Sequence, residues 1–261
     1  TLKAAQSLGI PTLIQEQNSY AGVTKKFLAR RADKICVAYP DMERFFPKDK
    51  IVLTGNPIRP AIEHLKAERR EALEHFGLPL DTERVVVVVG GSLGARSINE
   101  SIGSRLKDWA DSGVALIWQT GVAFEEKARE LLAGYHFPVY SSAFIQRMDL
   151  AYTIADVVVS RAGASAISEL CLLGKPTILV PSPNVAEDHQ TKNALALSTR
   201  SAAILIPDKE AREELTPRAI ALVKDATQCA SLSEEIRKLA LTSAADKIVD
   251  EVEALLSSKK E

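Results

Sequence analysis

The sequence predicts an α/β protein whose parallel sheets carry helices on both faces. Short runs rich in Val, Ile and Leu alternate with longer amphipathic stretches along nearly the whole chain, which is typical of strand–helix–strand units. The five consecutive valines from Val85 to Val89 do not alternate with polar residues. A run of that kind is expected where a central strand is buried on both faces.

Apolar runs bounded by turn residues are predicted as strands. In chain order they are Pro11–Ile14, Lys34–Ala38, Ile51–Leu53, Arg84–Val89, Val114–Trp118, Pro138–Tyr140, Asp156–Ser160, Thr177–Val180 and Ala202–Ile206. Helices are predicted between them, most clearly at Ala95–Trp109, Phe124–Leu132, Ala164–Leu173 and His189–Thr199. The stretch Leu232–Leu256 keeps apolar residues at helical spacing, so one or two closing helices are expected before the polar end SSKKE.

Two domains are predicted, with a boundary in the segment TGNPIRP, Thr54–Pro60. Its Asn-Pro and Arg-Pro pairs interrupt regular structure. Residues 1–57 contain three predicted strands, too few for a complete doubly wound domain, and are interpreted as the C-terminal remnant of a first domain. Residues 58–230 are predicted to form a complete second domain, and residues 231–261 the closing helices. Because the first residue is Thr1 rather than Met, a fragment or processed product is expected.

Composition excludes several classes of protein. The 261 residues include 33 Lys+Arg and 34 Asp+Glu, a formal net charge of −1, which argues against a general nucleic-acid-binding surface. Three widely spaced cysteines without a CxxC pair indicate neither a zinc site nor a disulfide framework. No HExxH motif is present, so we expect no metal, and we also expect no cofactor. No apolar run approaches the roughly 18 residues of a membrane-spanning helix.

The first candidate site is the glycine-rich turn that follows the valine strand. Gly90, Gly91 and Gly94 would let the backbone approach a ligand, and the helix that follows offers unpaired N–H groups to an anion. The spacing is neither GxGxxG nor that of a P-loop. The turn alone leaves two interpretations open, an anion site or a tight turn that binds nothing.

A second candidate follows the strand that ends at Ser160. The next helix begins among small residues, Ala162–Ala166, which would let a ligand approach its N–H groups. Glu169 lies one turn further along that helix. It is either an ordinary charge partner near the helix N-terminus or an acceptor for two vicinal hydroxyls, such as a ribose diol.

A third candidate is the loop Pro181–Pro183 together with the helix that begins near Asp188. Loops at the carboxyl ends of parallel strands are where open α/β sheets bind ligands. Gln190 and Asn193 lie three residues apart and are predicted to share one helix face, where their amides could bind sugar hydroxyls. His189 alone is interpreted as a surface or capping residue.

These loops belong to a set of six segments that, in this order, closely resemble the MurG family of bacterial peptidoglycan glycosyltransferases. The segments are EQNSYAG (Glu16–Gly22), TGNPIR (Thr54–Arg59), GGSLGARSIN (Gly90–Asn99), FIQRMDLAY (Phe144–Tyr152), ADVVVSRAGASAISEL (Ala155–Leu170) and DHQTKNA (Asp188–Ala194). The resemblance implies a GT-B fold, in which two doubly wound domains face each other across a cleft, the first domain being incomplete here. It implies inverting transfer of N-acetylglucosamine from UDP-GlcNAc to lipid I, giving lipid II, by a peripheral enzyme on the cytoplasmic face of the cell membrane.

The resemblance also implies roles for individual residues of the donor site. Ser92 and the helix after it would contact the diphosphate, and Arg59 would approach the same phosphates from the domain linker. The backbone of Ile145 would pair with uracil, and Gln190 would hold GlcNAc hydroxyls. The helix start under the α-phosphate would comprise Ala164, Ser165, Ala166, Ile167, Ser168 and Glu169, with Glu169 on the ribose diol, and Asn18 would reach the cleft from the first domain.

Part of the family's pattern has no counterpart in the sequence. Its glycine-rich loop, its histidine (the usual candidate for the catalytic base) and its membrane-docking patch would lie upstream of Thr1. We therefore expect donor binding without turnover by this chain alone. Two alternatives stay open: a related GT-B enzyme acting on another lipid acceptor, such as diacylglycerol, and a non-catalytic UDP-sugar-binding module. A UDP-GlcNAc epimerase is disfavoured because these loops lack the acid and base groups that it needs.

Overall fold

The computed structural model describes residues 1–257. Each apolar run that was predicted as a strand contains a strand in this structure. Three of the strands form a small parallel sheet in the order β1-β2-β3. Its elements are α1 (Leu2–Ser7), β1 (Leu13–Glu16), α2 (Val23–Ala29), β2 (Lys34–Val37) and β3 (Ile51–Leu53), with short 3₁₀ helices at Met42–Arg44 and Lys48–Lys50. A separate apolar core, which includes Ile35 and Phe46, stabilises this sheet.

The other six strands form a parallel sheet in the order β6-β5-β4-β7-β8-β9. The elements of this part are α3 (Pro60–Glu63), α4 (Arg69–His75), β4 (Val85–Val89), α5 (Arg96–Ser104), α6 (Leu106–Ser112), β5 (Ala115–Gln119), α7 (Val122–Leu132), β6 (Val139–Ser142), α8 (Met148–Ile154), β7 (Val157–Ser160), α9 (Ala164–Leu173), β8 (Thr177–Leu179), a 3₁₀ helix at Ala186–Asp188, α10 (His189–Ser198), β9 (Ile204–Leu205) and α11 (Ala211–Lys224). The order reverses between β4 and β7, and ligands commonly bind at such a switch point.

The valine strand β4 is buried on both faces, which confirms the expectation from its non-alternating sequence. Val85 and Val87 belong to the core on one side of the sheet, and Val86 and Val88 belong to the core on the other side. All four side chains are fully buried. The predicted α/β class, with helices on both faces of a parallel sheet, is therefore confirmed.

The single helix predicted over Ala95–Trp109 is instead two helices, α5 and α6. The break falls at Arg105, whose backbone angles (φ −127°, ψ 30°) are not helical. Gly103 and Ser104, which have weak helix propensity, come directly before it. The break lets α6 change direction and bury Trp109 completely against the sheet.

The described residues close with the two helices α12 (Ala226–Arg237) and α13 (Ala244–Ser257), so the boundary predicted between residues 230 and 231 falls within α12. The last helix returns to the first sheet, where Lys34 Nζ lies 3.0 Å from Glu251 Oε2. The N–H of Ser243, just before α13, donates to the Glu63 carboxylate over 2.9 Å. Within residues 1–257, no helix combines the length and the apolar character needed to cross a bilayer.

Candidate functional site

A cavity of about 650 Å³ lies at the carboxyl edge of the six-stranded sheet. The loops that follow β4, β7, β8 and β9 line it, and they include all three of the candidate segments. Its lining residues include Gly91, Ser92, Gly94, Ser97, Arg161, Gly163, Ala166, Ser182, Gln190 and Asp208. The cavity therefore occupies the position at which open parallel sheets bind their ligands.

The glycine-rich loop on one side of the cavity is held in a conformation that requires glycine. Gly94 has φ +78°, and a Cβ built on it would lie 2.1 Å from the backbone oxygen of Thr120. Gly91 also has a positive φ, of +86°, but no atom lies within 4 Å of its Cβ position. The loop is thus pressed against the segment after β5 at Gly94 and open at Gly91.

Two helices of at least nine residues begin at the cavity, and neither has a side-chain cap within the described residues. These are α5, preceded by Ala95, and α9, preceded by Gly163. The first N–H groups of an uncapped helix are unpaired and carry the positive end of the helix dipole. Two such ends facing one cavity favour an anionic ligand.

Three of the predicted donor-site residues line this cavity. They are Ser92, which is exposed near the tip of the glycine-rich loop, Ala166 on α9, and Gln190 on α10. The side-chain oxygen of Gln190 accepts from the backbone N–H of Ser182 over 2.9 Å. That bond fixes the loop after β8 and leaves the NH₂ group of Gln190 available to a ligand.

The remaining residues of the predicted helix start face elsewhere. Ser165 is exposed, and Ile167 is only 2% exposed, within the core. The hydroxyl of Ser168 donates to Ala164 O and accepts from Asn56 Nδ2, each over 3.0 Å. Ile167 and Ser168 line a second cavity, separate from the first. One face of α9 therefore serves the large cavity and another face serves the second.

Arg59 and Glu169 are paired with each other in this structure. Arg59 Nε and Nη2 donate to the two carboxylate oxygens of Glu169 over 2.9 and 3.0 Å, and the Tyr152 hydroxyl donates to Oε2 over 3.2 Å. Glu169 is only 6% exposed. Burial, together with this carboxylate, raises the pKa of Tyr152 above its ordinary value, so the phenol remains a donor. Contacts of Arg59 with phosphate and of Glu169 with a ribose diol would each require this pair to open.

The backbone N–H of Ile145 is occupied by a side chain that sequence reasoning missed. It donates to Gln119 Oε1 over 2.9 Å, and Gln119 Nε2 donates to Gly91 O over 2.9 Å. Gln119 is 2% exposed. One buried amide thus links the glycine-rich loop to the segment around Ile145. The sequence feature that could have identified Gln119 is a polar residue directly after the apolar run Val114–Trp118, at the carboxyl edge of the sheet.

A second missed group joins the loops around the cavity. Arg161 Nη1 donates to Asp208 Oδ1 over 2.5 Å, and Nη2 donates to Ser97 Oγ over 3.2 Å. Ser97 Oγ in turn donates to Asp208. The same guanidinium also donates to Val180 O and Pro181 O. A charged residue immediately after β7 was the signal for Arg161, whereas nothing local pointed to Asp208.

Asn193 joins the two halves of the molecule and does not face the large cavity, which corrects its predicted sugar-binding role. Its Oδ1 accepts from the N–H and hydroxyl of Ser19 over 2.9 and 3.1 Å. Its Nδ2 donates to Asn18 Oδ1 and to Ala162 O over 3.0 and 3.2 Å. The side chain is fully buried. Asn18 is therefore held at the interface between the halves, and the amide of Asn193 has no capacity left for a sugar.

Replacing Asn193 with alanine is expected to lower the free energy of unfolding by about 2 kcal/mol, because the buried N–H of Ser19 loses its acceptor. Urea denaturation measures the change. The matched control is Asn184→Ala, at an exposed loop position, for which a change within about 0.5 kcal/mol is expected. Equal stabilities for the two variants would show that this interface bond contributes nothing.

The comparisons with known proteins agree with one another. The sequence profile of the glycosyltransferase family 28 C-terminal domain matches residues 85–251. The UDP-N-acetylglucosamine–N-acetylmuramyl-(pentapeptide) pyrophosphoryl-undecaprenol N-acetylglucosamine transferase of Porphyromonas gingivalis is 62% identical over 261 residues, which are 100% of this chain and 69% of that protein. The enzyme of the same name from Parabacteroides distasonis is 55% identical over 99% of this chain and 70% of its own length.

Solved structures give the same result. The crystal structure of Acinetobacter baumannii MurG superposes with a TM-score of 0.76 at 29% identity, covering 97% of this chain and 69% of that one. The UDP-GlcNAc 2-epimerase of Neisseria meningitidis, solved with UDP-GlcNAc, gives a TM-score of 0.63 at 14% identity, over 96% of this chain and 71% of the epimerase, and so shares the fold alone. The chain has the α/β GT-B fold and belongs to glycosyltransferase family 28, among the N-acetylglucosamine transferases of the MurG family.

Proposed function

We propose that the 650 Å³ cavity binds the donor of a UDP-GlcNAc-dependent transferase that converts lipid I to lipid II in peptidoglycan synthesis. The observation that carries the proposal is the convergence of two uncapped helix N-termini, α5 and α9, on one cavity. The volume lies within the range usual for cofactor and ligand sites. In this proposal residues 58–230 form the donor domain, residues 1–57 belong to the acceptor domain, and residues 231–261 close the molecule.

The diphosphate is proposed to lie across the two helix N-termini. Each terminus is equivalent to roughly half a positive charge and presents N–H donors. Ser92, exposed at the glycine-rich loop, would add a hydroxyl donor. Arg59 is 54% exposed in its side chain and would reach the phosphates once it leaves Glu169. Ala164, Ser165 and Ala166 are proposed to present the first N–H groups of α9 to the α-phosphate. Ile167, whose N–H donates to Gly163 O, and Ser168 would support this helix start from within the helix.

The nucleoside and the sugar are proposed to occupy opposite ends of the cavity. Uracil would pair with the backbone of Ile145, displacing Gln119 from its N–H. The ribose diol would take the Glu169 carboxylate in place of Arg59. Gln190 would hold GlcNAc hydroxyls through its NH₂ group, and Asn18 would meet the acceptor side of the cleft.

These residues are proposed to stabilise the UDP leaving group of the reaction. The acceptor hydroxyl gives its proton to a base as its oxygen attacks the anomeric carbon with inversion, the bond from that carbon to the UDP oxygen breaks, and negative charge develops on the departing diphosphate. Preorganised donors at that point lower the barrier because they need no reorganisation when the charge appears. Helix N-termini and Arg59 would thus serve in place of a divalent ion, and no general base is assigned to a residue of this chain.

The acceptor is proposed to be lipid I, presented at the cytoplasmic face of the cell membrane. The curated relatives carry a pyrophosphoryl-undecaprenol acceptor in their names. The peripheral membrane contact is proposed to lie N-terminal to Thr1, as the family resemblance implies.

Titration calorimetry with UDP-GlcNAc, UDP-GalNAc, UDP-glucose and NAD tests the donor assignment. We expect UDP-GlcNAc to bind at least tenfold more tightly than the other sugar nucleotides and NAD not to bind. Equal affinity for all four would contradict a specific donor site. Transfer of labelled GlcNAc to a lipid I analogue then measures the reaction itself.

UDP binding is expected to be independent of divalent metal ions, because the two helix N-termini, and Arg59 once it leaves Glu169, supply the positive charge. The shift in unfolding temperature caused by UDP should be the same in EDTA as in Mg²⁺. The control is the unfolding temperature without UDP in both buffers. Loss of the UDP shift on chelation would show that a metal ion is required.

A further inference from the structure

A second cavity, of about 350 Å³, lies between the two halves of the molecule. The first half contributes residues that follow β2 and β3, including Tyr39 and Gly55. The second half contributes Cys171 on α9 and Arg200 just after α10, and Leu241, before α13, completes the wall. Helix α9 separates this cavity from the donor cavity, so the two can be occupied independently.

Tyr39 presents a polar group to this interface that lacks a partner. Its hydroxyl is buried and makes no hydrogen bond to any of the described residues. Burial raises the pKa of the phenol, and the Cys171 thiol, which also lines the cavity, raises it further. A buried hydroxyl without a partner costs about 1–3 kcal/mol. A ligand whose acceptor oxygen reached this hydroxyl, after the side chains that now cover it had moved aside, would recover that cost.

The rim of the cavity is positively charged. Arg44, Arg200 and Lys238 line it, against one carboxylate, Asp41. Lys238 is paired with acidic neighbours on α12, and Arg44 donates to a backbone oxygen. Arg200 is exposed and forms no ion pair within the described residues, so its charge is available to an anion.

The rest of the wall combines apolar side chains with the polar residues Ser19, Asn56, Ser168 and Thr199, and the space exceeds what a few waters fill. Leu53, Leu197 and Leu239 are among the lining residues. The volume corresponds to roughly ten water molecules at about 30 Å³ each. Ligand sites usually combine such apolar walls with a few polar groups that fix orientation.

We propose that this cavity is a binding site for a small amphiphilic anion, with its apolar body between the two halves and its charged oxygens at Arg200 and Tyr39. Because both halves and the segment before α13 contribute to the wall, such a ligand stabilises the present arrangement of the halves. A ligand can shift a conformational equilibrium only through its differential affinity for the two states. Occupancy therefore couples to any opening of the cleft.

The probe for the test is 2-naphthoate, with the uncharged 2-naphthalenemethanol as its comparison, titrated into the 261-residue chain by calorimetry. We expect one site for naphthoate and at least fivefold weaker binding of the alcohol. Ala196 lines the cavity, and Ala196→Phe, which fills it, should weaken naphthoate binding at least tenfold. Arg200→Glu should weaken it at least fivefold and Tyr39→Phe at least threefold.

Two controls separate this site from the donor cavity and from general charge. Arg218→Glu makes the same charge change at an exposed position on α11, and naphthoate affinity should stay within twofold of the parent chain. Saturating UDP should leave the naphthoate site available. Displacement of naphthoate by UDP, or parent-like binding by Arg200→Glu and Tyr39→Phe, would overturn the proposal even if Ala196→Phe fails to fold. The outcome does not depend on whether the donor assignment holds.

Discussion

Replacing Gly94 with alanine is expected to lower the free energy of unfolding by about 3 kcal/mol or more and to abolish UDP binding. The new Cβ would lie 2.1 Å from the backbone oxygen of Thr120, and the residue has φ +78°. Neither backbone segment can yield cheaply, because both belong to the carboxyl edge of the sheet. The displaced loop would carry Ser92 and the start of α5 away from the cavity. Urea denaturation and UDP calorimetry measure the two effects.

The matched control is Gly91→Ala in the same loop. Gly91 has a comparable φ of +86°, but no atom lies within 4 Å of its Cβ position. We expect Gly91→Ala to lower the free energy of unfolding only by the strain of a left-handed backbone, about 1–2 kcal/mol. If the two variants proved equally stable, steric contact at Thr120 would not be what holds the loop.

Replacing Glu169 with alanine is expected to cost about 2–3 kcal/mol of unfolding free energy. The change removes a buried carboxylate that accepts from Arg59 and from the buried Tyr152 hydroxyl, and losing one partner of a buried pair usually costs about 3–5 kcal/mol. We expect a smaller loss than this usual range because the Arg59 side chain is 54% exposed and is solvated by water once the carboxylate is gone. Glu74→Ala, in an exposed pair with Arg70, serves as control and should change stability by less than about 0.5 kcal/mol.

The same Glu169 variant tests the proposed ribose contact. We expect UDP-GlcNAc affinity to fall by about 1–3 kcal/mol, the order of charge-assisted hydrogen bonds. A 2′-deoxy analogue should lose much less, since it lacks one of the two hydroxyls. Equal losses of affinity for the two ligands would show that Glu169 does not contact the ribose and only holds Arg59 and Tyr152 in place.

Much of the fold follows from local sequence, because strands and turns are set by patterns only a few residues long. The valine run and the glycines after it locate the central strand and the loop at its carboxyl end. Parallel pairing then brings successive loops to one edge, so Ser92 and Gln190 could be assigned to one site from the sequence. The break at Arg105 depends on weak propensities that the apolar spacing of the segment obscured.

Side-chain partnerships across long separations could not be predicted in this way. Arg59 and Glu169 lie 110 residues apart in sequence, and their contact with each other was not predicted. Asn193 shares a helix with Gln190, yet its bonds cross 174 residues to Ser19. Which face of a helix meets a neighbouring domain depends on packing, and apolar spacing on that helix alone does not specify it.

The bridging amide of Gln119 has a consequence for the order of events during nucleotide capture. A base that takes the Ile145 N–H must first release Gln119, whose other end holds Gly91 O. Release at one end would free the amide to rotate, and the loop at Gly91 would then lose one of its tethers. If uracil binds as proposed, the free energy of nucleoside binding is reduced by the loss of one protein hydrogen bond, so uridine alone should bind weakly.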